Sequence, residues 1–324
     1  MSHDTPRGDD ASSARHLSTA CAQVAHYAPP RHHAALEEAL EALIKAHPEP
    51  VLPPSALAGL DQLHLGGAAG SRELLAMAAL ETPEGMPLAI LEPGAGLGGL
   101  ARMLVSQHAS AGHHVTTLDL SESLCQLAVA LNRATGLRER IRVLEGDACY
   151  PELHPALTGR HVDRILSQHL LVHLSDKTDV LRQWHDCLND DGYLVLHEPV
   201  LSVQAQAFHE RPQLPVPWAL TPRADHLASC EELHEAMANS GFEVEAHAEL
   251  TPQVLAWQAR RLRTPSPGAP GQPPLSPAQR ASQALTPELI FGPHFPTMQH
   301  NLAEALEAGW LEVHLWRLRK RRHP

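Results

Sequence analysis

Positive charge is scarce in this chain. Lys and Arg together number 25 against 37 Asp and Glu, a formal net charge of −12. General nucleic-acid binders take their affinity from cationic side chains on phosphates, so this balance argues against that class. The one dense basic cluster, Arg317, Arg319, Lys320, Arg321 and Arg322, reads as a solvated tail. No apolar run approaches the length of a membrane span. The first residues lack the charged-then-apolar pattern of a secretory signal. Cysteine is sparse: Cys21, Cys125, Cys149, Cys187 and Cys230 are scattered, with no C-x-x-C. An odd, dispersed set excludes a disulfide framework and points to reduced thiols in a cytoplasm. Aromatic residues are only 4% and carry no ligand signature of their own. The expectation is a cytoplasmic protein with neither a membrane nor a nucleic-acid partner, its oligomeric state left open.

What is present centres on residues 88–104. Leu88, Ala89, Ile90 and Leu91 form a short apolar run that reads as a buried strand, ending at Glu92. Gly94, Gly96, Gly98 and Gly99 make a turn, and Leu97, Leu100, Ala101 and Leu104 then recur at helical spacing. The glycines permit sharp bends and close approach to a ligand. The helix start offers free N–H groups. Gly94, Gly96 and Gly99 fit G-x-G-x-x-G, which alone is a weak dinucleotide signal. Glu92 points elsewhere, because an acid at the strand end meets a pyrophosphate with like charge.

The rest of the chain alternates. Strands are expected at 114–118, 141–145, 162–166 and 193–196, with helices at 124–136 and 176–188 between them. Leu124, Leu127, Ala128 and Leu131 share one helix face. Asp190-Asp191-Gly192 reads as a turn before the fifth strand. Strand–helix alternation of this kind makes a doubly wound, mostly parallel α/β sheet, which binds ligands beyond its strand C-termini. Glu92, Asp119, Asp147, His169 and Glu198 all fall at such ends. Asp119 is placed to accept from ribose hydroxyls, and Asp147 from an adenine amino group. Downstream, a helix at 230–240, a strand at 242–248 and a helix at 252–262 precede a breaker-rich run at 264–277. Helical pieces at 277–284 and 297–308 and a last strand at 311–318 follow. Upstream, Leu36, Leu40 and Leu43 mark a helix at 34–46, and another is expected at 71–80; residues 1 to about 30 read as a frayed start. The expected division is 1–84 for the start and N-terminal helices, 85–250 with 309–324 for the core, and 251–308 for a cap insertion carrying the Pro-rich loop.

Glu92-Pro93-Gly94-Ala95-Gly96-Leu97-Gly98 resembles the first motif of class I S-adenosylmethionine-dependent methyltransferases, whose cofactor has a cationic methionine end that suits Glu92. The resemblance extends over roughly residues 60–320. It looks closer to small-molecule enzymes of the sarcosine/dimethylglycine N-methyltransferase type, on Asp61-Gln62-Leu63-His64-Leu65-Gly66-Gly67, Ser167-Gln168-His169, Pro215-Val216-Pro217-Trp218-Ala219, Asn301-Leu302 and Glu307-Ala308-Gly309. It implies a Rossmann-like sheet with a C-terminal antiparallel strand, N-terminal helices and a helical cap. It also implies S-adenosyl-L-methionine as cofactor and a small-molecule methyl acceptor. In that family Gly94 and Gly96 would line the methionine moiety, with Glu92 holding the network around it. Asp119 would take the ribose, with Leu120 beside it in the cofactor set, and Asp147 and Ala148 would border the adenine. Gln168 and His169 would lie near the transferred methyl, His169 as the candidate base. The chain departs from the pattern in having Glu92 where Asp is commoner, Pro93 after it, and Asp190-Asp191-Gly192 in place of Pro-Gly-Gly.

Two other functions fit parts of the sequence. A nicotinamide oxidoreductase accounts for Gly94, Gly96, Gly99 and Asp119, but not for Glu92 or Asp147. A methyltransferase-like subunit without chemistry would keep the cofactor residues and lose the acceptor site. No metal is expected. His169 and His173 lie one helical turn apart but at a strand end, and His32-His33, His113-His114 and His197 have no third ligand near them in sequence.

Overall fold

The computed structural model describes residues 30–82, 85–263 and 274–321. The expected frayed start (residues 1–29) and most of the Pro-rich loop lie outside these residues. Helices of more than one turn are numbered in chain order: α1 Pro30–Ala46, α2 Gly67–Met77, α3 Gly99–Gln107, α4 Glu122–Ala134, α5 Lys177–Cys187, α6 Val203–Phe208, α7 Cys230–Asn239, α8 Thr251–Arg263, α9 Pro277–Ala284 and α10 Phe295–Glu307. The strands are β1 Ala89–Pro93, β2 His114–Asp119, β3 Ile141–Glu145, β4 Val162–Gln168, β5 Leu188–Leu201, β6 Phe242–Glu249 and β7 Leu311–Lys320.

They form one sheet in the order β3-β2-β1-β4-β5-β7-β6. β1 pairs in parallel with β2 and β4, β2 with β3, and β4 with β5. β7 runs antiparallel to both β5 and β6. The Rossmann-like architecture and its antiparallel C-terminal strand are as the sequence implied. Helices cover both faces, so central strands are apolar on both sides. Ile90, Leu166 and Val195 join one core, while Leu91, Ile165, Leu194 and Leu196 join the other.

A third core sits at one end of the molecule. Leu36, Leu40 and Leu43 of α1 meet Leu124, Leu127 and Leu131 of α4, together with Leu285, Ile290, Phe291 and Met298. The N-terminal helix and the segment after α9, distant in sequence, thus form one layer rather than two.

Two local expectations are corrected. Asp190-Asp191-Gly192 is not a turn ahead of the strand but lies within β5, where a register shift against β4 takes up the extra residues. A Cβ on Gly192 would sit 2.9 Å from Asn189 O, so the kink needs glycine there. The basic cluster is not a free tail, since Arg317 and Arg319 belong to β7 and pair with Glu245 (2.7 Å) and Glu243 (3.3 Å). Arg322 lies outside the described residues. Residues 199–227 contain the end of β5 and α6 before the chain loops over the strand ends. Among the described residues no helix is long and apolar enough to cross a membrane.

Candidate active site

The C-terminal ends of β1, β2 and β4, with the loop after β3, open into one crevice. Its wall includes Gly94, Gly96, Asp119, Leu120, Asp147, Ala148, Gln168 and His169. The structure therefore brings together every expected site residue but one. Atom-free space within the crevice, mouth included, is about 1130 Å³.

Glu92 is the exception. It is buried beneath the glycine turn, where its Oε2 accepts from Ala101 N at 3.0 Å. Burial pushes its carboxyl up to about 8, against the pull of Arg102. It fastens the start of α3 rather than facing the crevice. Asp119 ties the turn from the other side: Oδ2 accepts from Gly96 N (2.7 Å) and Oδ1 from Ser121 N (2.9 Å). Burial raises its pKa, and these N–H groups oppose the rise. Asp147 Oδ1 accepts from Cys149 N at 2.8 Å, which closes the loop after β3.

The glycines divide by task. Gly96 has φ +53, and a Cβ there would meet nothing within 4 Å, so its backbone faces open crevice. Gly99 is needed for contact, because a Cβ there would lie 2.3 Å from Asp61 O. Residues 61–67 cross the start of α3 at that point. Asp61 Oδ2 accepts from Arg102 Nη2 at 2.7 Å in a fully buried ion pair, and Arg102 Nη1 donates to Asn132 Oδ1 at 2.9 Å. This anchors the segment that carries His64 to the crevice wall.

His169 has φ +53, a strained value for a side chain of this size. The turn is held from below. His169 N donates to His197 O at 2.9 Å, and Glu198 Oε1 accepts from Leu170 N (3.0 Å) and Leu171 N (3.1 Å). Gln168 Nε2 donates to His197 Nδ1 at 3.1 Å, and Gln168 Oε1 lies 3.1 Å from Ser71 Oγ. Burial pushes Glu198 up to about 8. Three imidazoles gather here, with His169 edge-on to His64 (5.3 Å) and tilted against His197 (5.0 Å). Burial lowers His64 to about 4 and His197 to about 3. Burial, then His197, His64 and His173, hold His169 well below the ordinary imidazole range. All three are neutral at physiological pH. His64 Nδ1, His169 Nε2 and His197 Nε2 are buried without a hydrogen-bond partner among the described residues.

The opposite wall is Pro217 and Trp218 from the loop after α6, and Ile290 and Phe291 from the third core. His64, Ile290 and Phe291 carry no sequence signal of their own. His64 falls within Asp61-Gln62-Leu63-His64-Leu65-Gly66-Gly67, but nothing in its spacing marks it. Ile290 and Phe291 follow a breaker-rich run that carries no periodic signal.

A Rossmann-like sheet with a glycine turn, strand-end acids and a roomy crevice defines a nucleotide-binding α/β enzyme class. Residues 66–247 match the methyltransferase domain family, and the chain belongs to it. A glycine/sarcosine/dimethylglycine N-methyltransferase of Actinopolyspora halophila is 32% identical over 117 residues, which are 36% of this chain and 20% of that protein. The match thus spans a fifth of that relative's length. The fold is similar to that of a cyclopropane synthase from Mycobacterium tuberculosis (TM-score 0.56, 18% identity, 86% of this chain and 94% of that one). It is also similar to geranyl diphosphate C-methyltransferase from Streptomyces coelicolor A3(2), solved with Mg²⁺, geranyl diphosphate and S-adenosyl-L-homocysteine (TM-score 0.53, 15% identity, 78% and 79%). At these identities the structural likeness is one of fold.

Proposed function

We propose that this chain is an S-adenosylmethionine-dependent methyltransferase acting on a small-molecule acceptor by in-line displacement. The observation that carries the proposal is the convergence of the glycine turn, Asp119, Asp147 and His169 on one crevice. The open face of Gly96 and the unpaired Nε2 of His169 fit a ligand seated between them.

S-adenosylmethionine supplies a methyl group on a sulfonium centre that is already a good leaving group. Gly94 and Gly96 would face its methionine end, Asp119 and Leu120 the ribose, and Asp147 and Ala148 the adenine. Asp119 retains acceptor capacity beyond its backbone N–H partners. Glu92 would act indirectly, by fixing α3 under the turn. Gln168 and His169 would meet the acceptor, which lies against Trp218, Ile290 and Phe291. This apolar wall excludes water, and alignment of nucleophile, carbon and sulfur supplies much of the rate, on the order of 7–11 kcal/mol in favourable cases. His169, neutral by burial, accepts the acceptor's proton at Nε2 where the nucleophile is a hydroxyl or a protonated amine. A cytoplasmic setting is part of the proposal, supported by free thiols at Cys125, Cys149, Cys187 and Cys230.

Thermal unfolding with S-adenosylmethionine, S-adenosylhomocysteine and NADH added separately tests the cofactor. Ligand at a hundred times its dissociation constant adds about 2.7 kcal/mol of stability. The two adenosyl ligands should raise the midpoint and NADH should not. A rise with NADH alone would overturn the proposal in favour of an oxidoreductase. Cofactor binding without turnover on any amine, hydroxyl or carbon acceptor would point to the non-catalytic subunit.

A further inference from the structure

A second cluster of ligand-type side chains lies at the β7–β6 end of the sheet, and none of its members lines the crevice. Ser229 caps α7 with a reciprocal Glu232 bond, which sets Cys230 in the first turn and His234 one turn on. On β6, Glu245 is an extra residue, because Val244 pairs with Leu318 and Ala246 with Arg317. That bulge restores His247 opposite Trp316. His314, two residues before Trp316 on β7, then shares the same face. The outcome is that Cys230 Sγ and one ring nitrogen each of His247 and His314 all lie within 4.8 Å of one another.

Proton bookkeeping shows which nitrogens are available. Glu312 Oε2 lies 3.0 Å from His314 Nε2, so Nε2 carries the hydrogen and Nδ1 is left as a bare lone pair. His247 Nε2, at 2.7 Å, donates to that Nδ1. A carboxylate behind a histidine, fixing its tautomer, is the arrangement that orients metal-ligating imidazoles. His234 stays outside the set, because its Nε2 accepts from Trp316 Nε1 at 2.9 Å. The floor is apolar: Trp316 is fully buried and stacks on His247 at 5.1 Å. His247 is exposed, which gives an ion a way in.

We propose that Cys230, His247 and His314 form a binding site for a divalent metal of the zinc class. One thiolate and two imidazoles suit Zn²⁺ and not the oxygen-seeking Mg²⁺ or Ca²⁺. On binding, the Cys230 thiol proton is released to solvent and the His247 proton moves from Nε2 to Nδ1. The ion takes the place of the N–H···N bridge between the two histidines. Tetrahedral Zn–N distances of about 2.0–2.1 Å and Zn–S of about 2.3 Å require the sulfur to close in by about 1 Å and the two ring nitrogens to part by roughly half an ångström from their 2.7 Å hydrogen bond. Three protein ligands leave a fourth position for water. The site clamps α7 to β6, which among the described residues is an edge strand with β7 as its one neighbour in the sheet.

The test uses the full chain, reduced, stripped with a chelator and then titrated with Zn²⁺ against a chromogenic chelator, and with Co²⁺ by absorption. The expected result is one ion per chain and a thiolate-to-cobalt charge-transfer band. Cys230→Ser should abolish the band. His247→Ala, at an exposed position, should weaken Zn²⁺ binding at least tenfold while circular dichroism stays unchanged. Glu312→Gln should weaken it by about 10–100-fold, as loss of an outer-shell partner does. Neither of these last two variants should alter the thermal shift caused by S-adenosylmethionine. The chain has 24 histidines, so Zn²⁺ binding that survives Cys230→Ser and His247→Ala lies elsewhere and overturns the proposal. Failure to compete with the chelator, or equal affinity for Mg²⁺, would overturn it too.

Discussion

Replacing Asp61 with Asn probes the pin between residues 61–67 and the crevice. Asp61 and Arg102 are 2.7 Å apart, with side-chain exposures of 2% and 0%. Removing one partner of a buried pair costs roughly 3–5 kcal/mol. Asn keeps a carbonyl acceptor for the guanidinium, so the lower end, about 3 kcal/mol, is expected. At roughly 2–4 °C per kcal/mol for larger chains, the midpoint should fall by about 6–12 °C. A second signature comes from Glu92, which Arg102 pulls down and Asp61 pushes up from the other side. Without the Asp61 charge, the Glu92 carboxyl falls below its value of about 8. The folded variant then releases that proton earlier and holds fewer protons than the folded parent as pH approaches 8. Stability rises with pH wherever the native state holds fewer protons relative to the unfolded one, so the variant gains on the parent. The deficit should therefore be largest in mild acid and shrink toward mild alkali. Urea unfolding of both proteins at the two pH values measures this. A deficit below about 1 kcal/mol, the scale of an exposed pair, or one that grows with pH, would refute the reasoning.

Other perturbations separate the remaining roles. His169→Asn should leave S-adenosylmethionine affinity within a few-fold and lower turnover by about 10²–10⁴; unchanged turnover removes it as base. In the parent, the acid limb of the rate profile should lie below the ordinary imidazole value of 6.5, because His169 stays neutral below it. Asp119→Asn should weaken cofactor binding, and calorimetry showing equal affinity would sink the ribose assignment. Glu198, raised from 4.5 to about 8, contributes stability that is full below 4.5 and is lost as pH rises through 8. Glu198→Gln should flatten that slope in denaturation midpoints, and an unaltered slope would place the proton elsewhere. Gly99→Ala should displace Asp61, whose carbonyl would lie 2.3 Å from the new Cβ. Protease cleavage before α2 should then quicken.

The sheet was legible because its signals are local. Apolar runs such as 88–91 bounded by glycines mark buried strands, and Leu124, Leu127 and Leu131 mark a helix face. Strand C-termini then place Gly96, Asp119, Asp147 and His169 on one crevice by topology alone. What escaped depends on contacts distant in sequence. His64 reaches His169 only because Asp61 meets Arg102. Glu92 carries the motif's position, but its side chain turns to Ala101, a choice that the strand's face decides and the spacing does not. Asp190-Asp191-Gly192 has turn composition, yet it is absorbed by a register shift that only pairing with β4 and β7 can impose. Cys230, His247 and His314 share no motif and meet through a one-residue bulge.

The strand order has a consequence for how the chain is made. β7 is inserted between β5 and β6, although a ribosome delivers it after both. Until residues 311–320 emerge, β6 has no strand to join. The rim of β5, with Leu194, Val195 and Leu196, meanwhile stands open to any extended segment nearby. Bare apolar rims of this kind recruit neighbouring chains. A nascent polypeptide halted short of Leu311 is therefore the species on which chaperones and proteases would act, and the C-terminal strand is the piece that ends that exposure.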